Sequence, residues 1–228
     1  CATGAAKMLT SGKIKDITSR TKYFNPALSA DGQSLFAVEY PIGGGSRVIQ
    51  MDKNEGHITK RIPAPHGGQI TEVAPIGDSL YALIITESGM GLYWTEISLN
   101  NGIWHNEIPD QYKYVQDLTV SGKNLCFSSD LDGLVNSYIY NPDLKLMRKL
   151  TNSRFGAKHP HIDNNSGRLY WADFGLKGYQ PVSAPLDSLD WRVADFRKPF
   201  VNDVAEHLSL QARLNTEPIS EEEDAELK

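Results

Sequence analysis

The sequence contains few cysteines and no long apolar segment. Only two cysteines, Cys1 and Cys126, occur in 228 residues, so a small fold held together by several disulfides is excluded. No apolar run reaches the roughly 18 residues that a membrane-spanning helix requires. The net charge is −5 at pH 7, with scattered Lys and Arg residues, whereas a nucleic-acid-binding surface needs a concentrated basic stripe. We therefore expect neither a membrane-spanning segment nor a nucleic-acid partner.

Sequence motifs for catalysis and for cofactor binding are also missing. Neither a Gly-x-Ser-x-Gly nucleophile elbow nor a His-Glu-x-x-His motif occurs. Gly12-Lys13 is followed by Ile14, which does not match a phosphate-binding loop. His66-Gly67-Gly68-Gln69 is similar to the Gly-rich oxyanion loops of esterases, but without an elbow we interpret it as a connecting loop. The sequence therefore predicts no catalytic residues and no cofactor.

Two short stretches contain the residue types that bind metal ions. Asp130-Leu131-Asp132-Gly133 has alternating carboxylates, but the next acid is Asp143, and a Ca²⁺ loop needs about six oxygen ligands. His159 and His161 are two residues apart, so on a strand their side chains point to opposite faces. That geometry is poor for binding one ion. We therefore expect a turn at 130–133 and no metal site.

An internal repeat is the strongest signal in the sequence. Four turn-like segments are each followed by a leucine and then by an aromatic or Cys-aromatic pair, and these leucines stand at positions 35, 80, 125 and 169. Another apolar residue lies seven positions before each leucine. These residues are Leu28, Val73, Leu118 and Ile162. A period of about 45 residues, with four short strands in each unit, is typical of a β-propeller blade.

The repeat predicts an all-β fold. Apolar and polar residues alternate at period two, and Gly- and Asn-rich turns separate the strand-like pieces. We expect a β-propeller segment over residues 1–200 with four four-stranded blades, at about 20–63, 64–109, 110–152 and 153–198. Residues 191–196 are expected to be the outer strand of the fourth blade.

The two ends of the chain lie outside the four repeats. Residues 13–19 are similar to an outer strand and form an additional N-terminal strand without a blade of its own. Residues 201–228 are expected to contain a short helix over 202–214 and an acidic tail. The tail begins with a capping box at Ser220–Glu223, so a second, truncated helix is the alternative to a disordered tail.

One known family shares the pattern of these repeats. Phe127-Ser128-Ser129-Asp130-Leu131-Asp132-Gly133, followed by Tyr138-Ile139-Tyr140, resembles the blade of TolB-type propellers, the bacterial WD40-like or PD40-type repeat. Asn25–Ala37 and Leu150–Pro160 carry the same resemblance, which covers about residues 13–196. Because TolB-like rings commonly have six blades, the resemblance implies that this chain is a partial ring.

The geometry of a propeller indicates where a binding site would lie. First strands line the axis, and the loops before them share one rim with the loops between second and third strands. Ionisable residues directly before three of the apolar markers are expected around a water-filled channel, and histidines and tyrosines on the rim around it. The candidates are Glu72, Asp117, His161, His66, Tyr112, Tyr114 and His159. Packing between blades is the alternative interpretation for each of them.

Three functions are compatible with this sequence. The first is a non-catalytic propeller segment that binds protein or serves as a scaffold in the bacterial cell envelope, a location that the TolB resemblance implies. The second is the accessory propeller of a prolyl-oligopeptidase-like peptidase, with the catalytic domain outside this chain. The third is sugar or metal binding.

Two further expectations concern assembly and the N-terminus. A four-blade segment would leave sheet faces uncovered, so it must close, dimerise or cover its ends. The C-terminal helix is the expected cover, and a homo-oligomer through these faces is an alternative. If Cys1 is a mature N-terminus, the protein is a lipoprotein of the periplasm or outer membrane. The alternative is a longer chain that was cut at this point.

Overall fold

The computed structural model of the protein describes residues 7–10, 12–18, 21–99, 102–195, 207–208 and 210–211. The chain divides into two units, residues 1–197 and 198–228. In the second unit the described residues, His207, Leu208, Leu210 and Gln211, are helical and fall within the predicted helix 202–214. The predicted acidic tail lies outside the described residues. No helix in the described part of the chain has the length and apolar character needed to cross a membrane.

The first unit consists of antiparallel sheets whose strands follow one another along the chain. The first blade contains β3 (Tyr23–Leu28), β4 (Ser34–Glu39), β5 (Arg47–Asp52) and β6 (Ile58–Pro63). The second contains β7 (Gln69–Ile76), β8 (Ser79–Thr86), β9 (Gly89–Glu96) and β10 (His105–Gln111). The third contains β11 (Val115–Ser121), β12 (Asn124–Ser129), β13 (Asn136–Asn141) and β14 (Leu146–Lys149). The fourth contains β15 (Ala157–Asp163), β16 (Arg168–Gly175) and β17 (Gly178–Pro185). The predicted all-β, blade-by-blade architecture is confirmed.

Apolar clusters fill the spaces between consecutive blades, and the first strands β3, β7, β11 and β15 contact one another in succession. Of the leucines that mark the repeat, Leu80, Leu125 and Leu169 are fully buried in these clusters, while Leu35 is partly buried. Each fully buried leucine stabilises the fold by about 1.5–3 kcal/mol relative to an exposed one. The 45-residue period is therefore the period of the inter-blade core.

The outer strand predicted at 191–196 does not belong to the fourth blade. Its described part, β18 (Arg192–Ala194), pairs with β14 and makes the third blade five-stranded, while the fourth has three strands. Prolines in β17 explain this difference. The N–H of Leu186 bonds the carbonyl of Gly167 on the β16 side, so the odd-numbered positions Pro181 and Pro185 face away from β16. Because proline has no N–H, two donors that an outer strand would need are missing.

The predicted N-terminal strand forms a separate hairpin. β2 (Lys13–Asp16) pairs with β1 (Lys7–Thr10) in a two-stranded sheet. The chain then approaches the turn before β6, where a Cβ atom at Gly56 would lie 2.3 Å from the carbonyl oxygen of Ile17. Gly56 also has φ of +71°, so both its conformation and this close approach require glycine.

The last blade has an uncovered face, which we call the terminal face. It contains Tyr170, Phe174, Tyr179, Pro181 and Ser183, all of which are exposed. The residues that correspond to Tyr170 in the three preceding blades, Phe36, Tyr81 and Cys126, are buried against or beside the next blade. At the other end of the blade array, Ala37, Ile49 and Met51 of the first blade have no exposed area. The two ends of the array therefore differ in exposure: these side chains of the first blade are buried, whereas the terminal face of the last blade is exposed.

Candidate functional site

A one-residue β-bulge interrupts the first strand of every blade. In three blades the bulge contains a residue with positive φ: Asn25 at 47°, Asp117 at 63° and His159 at 55°. Asn, Asp and His are the non-glycine residues that enter this region most readily. In the second blade the bulge is shifted by one pair and lies at Thr71. Bulges redirect side chains, and here they aim them at the next blade.

The first of these inter-blade contacts connects blades one and two. The side-chain amide Nδ2 of Asn25 donates to the carbonyl oxygen of Thr71 at 2.7 Å. Both residues lie in bulges, so the contact joins the two irregular points of the neighbouring first strands. A second contact, from the hydroxyl of Tyr40 to the carbonyl of Ile70 at 2.7 Å, lies beside it.

Two carboxylates continue these contacts to the third and fourth blades. Glu72 accepts the backbone N–H of Asp117 at 3.1 Å and that of Leu118 at 2.5 Å. Asp117 in turn accepts the backbone N–H of His159 at 3.1 Å, and its other oxygen lies 2.7 Å from Nδ1 of the His159 ring. These acceptors satisfy N–H groups that a bulge removes from the β-ladder.

Burial determines the protonation behaviour of Glu72. Loss of hydration raises the pKa of this carboxyl group above its ordinary value, and the nearby charge of Asp117 adds to the shift. The N–H groups of Leu118 and Asp117 act in the opposite direction, because they favour the ionised form. The ring of His159, by contrast, is 68% exposed. The series of hydrogen bonds between neighbouring first strands thus ends at the exposed imidazole of His159.

The structure changes the expected grouping of Glu72, Asp117 and His161. His161 pairs with Tyr170 and lies on the terminal face, and the position corresponding to it in the third blade is Thr119. His159 occupies the position of Asp117 in the next blade, so His159, rather than His161, continues the axial contacts. The seven-residue spacing failed here because the loop between first and second strands has two residues, 122–123, in the third blade and four, 164–167, in the fourth.

The loops before the first strands do share a rim with the loops between second and third strands, as expected. Tyr112, which is 85% exposed, donates its hydroxyl to the carbonyl of Glu87 at 2.9 Å. The N–H of Tyr114 bonds Asp130 at 2.8 Å. His66 is exposed in the loop before β7. We call this end of the molecule the axial rim.

A lysine that the sequence did not single out organises part of this rim. The ammonium group of Lys158 donates to the hydroxyl of Tyr114 at 2.9 Å and lies 4.9 Å from the centre of that ring and 5.7 Å from the Tyr179 ring. Burial raises the pKa of Tyr114, and the hydrogen bond to Tyr114 raises the pKa of Lys158. Tyr179 also packs edge-to-face on Phe174 at 4.9 Å. Cation–π and aromatic contacts therefore connect the third and fourth blades.

Exposed aromatic side chains of the described residues concentrate on the axial rim. They lie in the loops before first strands or at the strand ends beside the rim: Phe24, Tyr112, Phe155, Phe174 and Tyr179. Phe174 and Tyr179 belong to the terminal face as well, whereas Tyr170 of that face lies further from the rim along β16. Aromatic residues are enriched at protein interfaces because they bury much area at low entropic cost. The rim therefore has the composition of a binding surface.

The segment at 130–133 forms the expected turn. The N–H of Gly133 bonds the carbonyl of Asp130 at 2.8 Å. The carboxylate of Asp130 accepts the N–H of Tyr114, and that of Asp132 binds the Tyr138 hydroxyl and the ammonium of Lys149. Among the residues that the structure describes, no group of three or more His, Cys, Asp or Glu is arranged to hold a metal ion.

Comparison with known proteins places this fold. No family model matches the sequence, and no curated protein matches it significantly. TolB from Acinetobacter baumannii superimposes with a TM-score of 0.60 at 14% identity over 79% of this chain and 45% of that one. The puromycin-hydrolyzing peptidase of Mycobacterium tuberculosis gives 0.59 at 14% identity over 81% of this chain. A chain of the nidogen/laminin complex gives 0.60 at 11% identity over 77% of this chain and 68% of that one.

These likenesses establish the fold. The described blades form a TolB-like β-propeller module. The chain spans 45% of the Acinetobacter TolB and 30% of the mycobacterial peptidase, so it corresponds to part of each of those proteins.

Proposed function

We propose that this TolB-like propeller module is non-catalytic and binds protein through its axial rim, in the bacterial cell envelope. The observation that carries the proposal is the concentration of exposed aromatic side chains on that rim. Phe24 is held there by strand β3, and Tyr112 and Phe155 are held there by short loops between strands. Such pre-ordered aromatic groups lose little entropy on binding. The resemblance of the repeats to TolB supports the envelope location.

The geometry around His159 supports a non-catalytic role. Asp117 and His159 form a pair of the kind that activates nucleophiles. However, the hydroxyl that contacts His159, that of Ser128, accepts its backbone N–H at 3.2 Å and belongs to a fully buried residue. This hydroxyl is not placed to attack a substrate, and the pair serves to hold two blades together.

Site-specific photo-crosslinking tests the proposed rim. A photoreactive phenylalanine analogue at position 112 or 155, introduced into the protein in its native bacterium, is expected to yield a discrete crosslinked protein. The matched control is position 144, because Leu144 is 70% exposed in a turn at the opposite end of the third blade. Equal crosslinking at all three positions, or none at 112 and 155, would contradict the proposal. Fractionation of the same cells should place the protein in the envelope, and a purely cytoplasmic protein would contradict that part.

A second candidate function is supported by the likeness to the mycobacterial peptidase. In that case the module is the accessory propeller of a hydrolase. The genomic reading frame distinguishes the two: an adjacent hydrolase domain with a Gly-x-Ser-x-Gly elbow favours the peptidase. An adjacent domain without such a motif, or none, favours the binding module.

Self-association is a separate proposal that rests on the terminal face. Tyr170, Phe174 and Tyr179 together present an exposed aromatic surface on a sheet, and such surfaces are favourable contacts between chains. We expect a concentration-dependent sedimentation coefficient that Tyr170→Ser lowers toward the monomer value. A monomer at every concentration would contradict this proposal.

A further inference from the structure

The part of the axial rim formed by the fourth blade and the loop before it combines aromatic and cationic side chains. We define this rim patch as Arg154, Phe155, Lys158, Phe174, Lys177 and Tyr179. Arg154, Phe155, Phe174, Lys177 and Tyr179 are exposed, and Lys158 is partly buried. The patch so defined contains no acidic residue, although Asp173 and Asp190 line the same cavity as Arg154 and the chain carries a net charge of −5.

Backbone contacts make the patch continuous. Gly156 accepts the N–H of Phe174 at 2.8 Å, so the loop that carries Arg154 and Phe155 lies directly against the end of β16. The guanidinium of Arg154 lies 5.4 Å from the centre of the Phe155 ring. Lys158 connects this loop to the Tyr179 ring. The patch is thus one surface supported by strands, and contacts with aromatic rings position two of its cations, Arg154 and Lys158.

The cations of the patch have no carboxylate partner. Among the residues that the structure describes, no carboxylate lies within 4.0 Å of Arg154, Lys158 or Lys177. The carboxylate of Asp117, which acts on Lys158 from a distance, is bound to His159. Several other cations of the described blades do have such partners. Examples are the pairs Arg47–Glu39, Lys145–Glu107 and Lys149–Asp132.

We propose that the rim patch recognises an acidic polypeptide segment of the partner protein. The inference rests on the proposed function and specifies the chemistry of the partner at this part of the rim. Carboxylates of such a segment would pair with Arg154, Lys158 and Lys177, while its backbone and apolar atoms would pack on Phe155 and Tyr179. Three cations are fewer than the 4–8 that recruit a protein to an anionic bilayer. They also form no stripe of the kind that nucleic acid requires.

Fluorescence anisotropy with a labelled deca-glutamate peptide tests this inference on the full chain. Binding is expected at low ionic strength, is expected to weaken as salt screens the charges, and should be absent with deca-glutamine. The double variant Arg154→Glu/Lys177→Glu should weaken deca-glutamate binding roughly 5–30-fold, as two reversed ion pairs imply. The matched control is Lys123→Glu/Arg61→Glu, which makes the same change in net charge at two exposed positions in other blades. Tryptophan fluorescence verifies that both variants fold.

Several results would overturn the inference. These are equal deca-glutamate affinity of the parent and the Arg154/Lys177 variant, equal weakening in the control variant, or binding to phosphatidylglycerol vesicles without binding to the peptide. The crosslinked partner provides an independent check, because the segment attached at position 155 should be acidic. A neutral or basic segment there would refute the acidic-partner inference and leave the proposed protein-binding function standing. Absence of any crosslink would refute the proposed function itself.

Discussion

Replacement of Glu72 tests the axial contacts between blades. Glu72→Ala removes the acceptor of two backbone N–H groups, those of Asp117 and Leu118. Leu118 is buried, so its orphaned N–H should cost about 1–3 kcal/mol. Asp117 is partly exposed, and water can replace part of its lost bond, at about 0.5–1 kcal/mol. We expect Glu72→Ala to lower the free energy of unfolding by about 1.5–4 kcal/mol.

Urea denaturation followed by tryptophan fluorescence measures this loss. Glu72→Gln keeps one acceptor oxygen and should cost less than Glu72→Ala. Glu96→Ala is the matched control, because Glu96 is exposed at the end of β9, and it should change stability by less than about 0.5 kcal/mol. A loss below about 0.5 kcal/mol for Glu72→Ala would refute the structural role and make Glu72 a channel-lining residue instead.

The same variants give a pH dependence with a definite sign. Burial raises the pKa of Glu72 above 4.5 in the folded state, so ionisation is disfavoured by folding. Its titration contribution to stability is therefore fully present below the unfolded value and is lost as pH rises through the raised folded value. The stability of the parent relative to Glu72→Gln should fall as pH rises from about 4.5. A rise over that range would contradict the assigned effect of burial.

Two further predictions concern the inter-blade core. Leu125 has no exposed area, so Leu125→Ala should cost about 2–5 kcal/mol in urea denaturation, whereas Leu144→Ala, at an exposed turn, should cost under about 0.5 kcal/mol; equal effects would remove Leu125 from the core. Burial raises the pKa of the Cys126 thiol to about 12, so in a Cys1→Ser background Ellman's reagent should react quickly only after denaturation, and fast labelling of the folded protein would contradict that burial.

The sequence predicted the blades because the core itself is periodic. Leu80, Leu125 and Leu169 fill the same kind of inter-blade space, and only apolar side chains can do so. The turns between strands were predictable for a similar reason, since glycine occupies most of the described turn positions where φ is positive. Both requirements act at single positions, and each restricts the residue types that can occur there.

The register of the first strands could not be predicted. The hairpin loop between first and second strands is two residues longer in the fourth blade than in the third, so a spacing counted back from the leucine could not show that His159, and not His161, follows Asp117 around the axis. The role of Lys158 was equally hidden, because most lysines on strands are solvated and nothing in sequence places two tyrosine rings beside this one. Residues 191–196 were predicted as the outer strand beside β17, but β18 pairs with β14 instead. A signal against that prediction was present in the sequence, because Pro181 and Pro185 lie four residues apart and so leave the same edge of β17 without two donors.

The two prolines of β17 also affect how this molecule behaves in a crowded compartment. A bare strand edge is a template on which other chains can add, and that is how many β-rich proteins aggregate. At Pro181 and Pro185 the template lacks its donors, so the last blade can expose a long edge without seeding fibrous growth. Side chains of the terminal face can still contact another chain, because such contacts do not use this backbone edge.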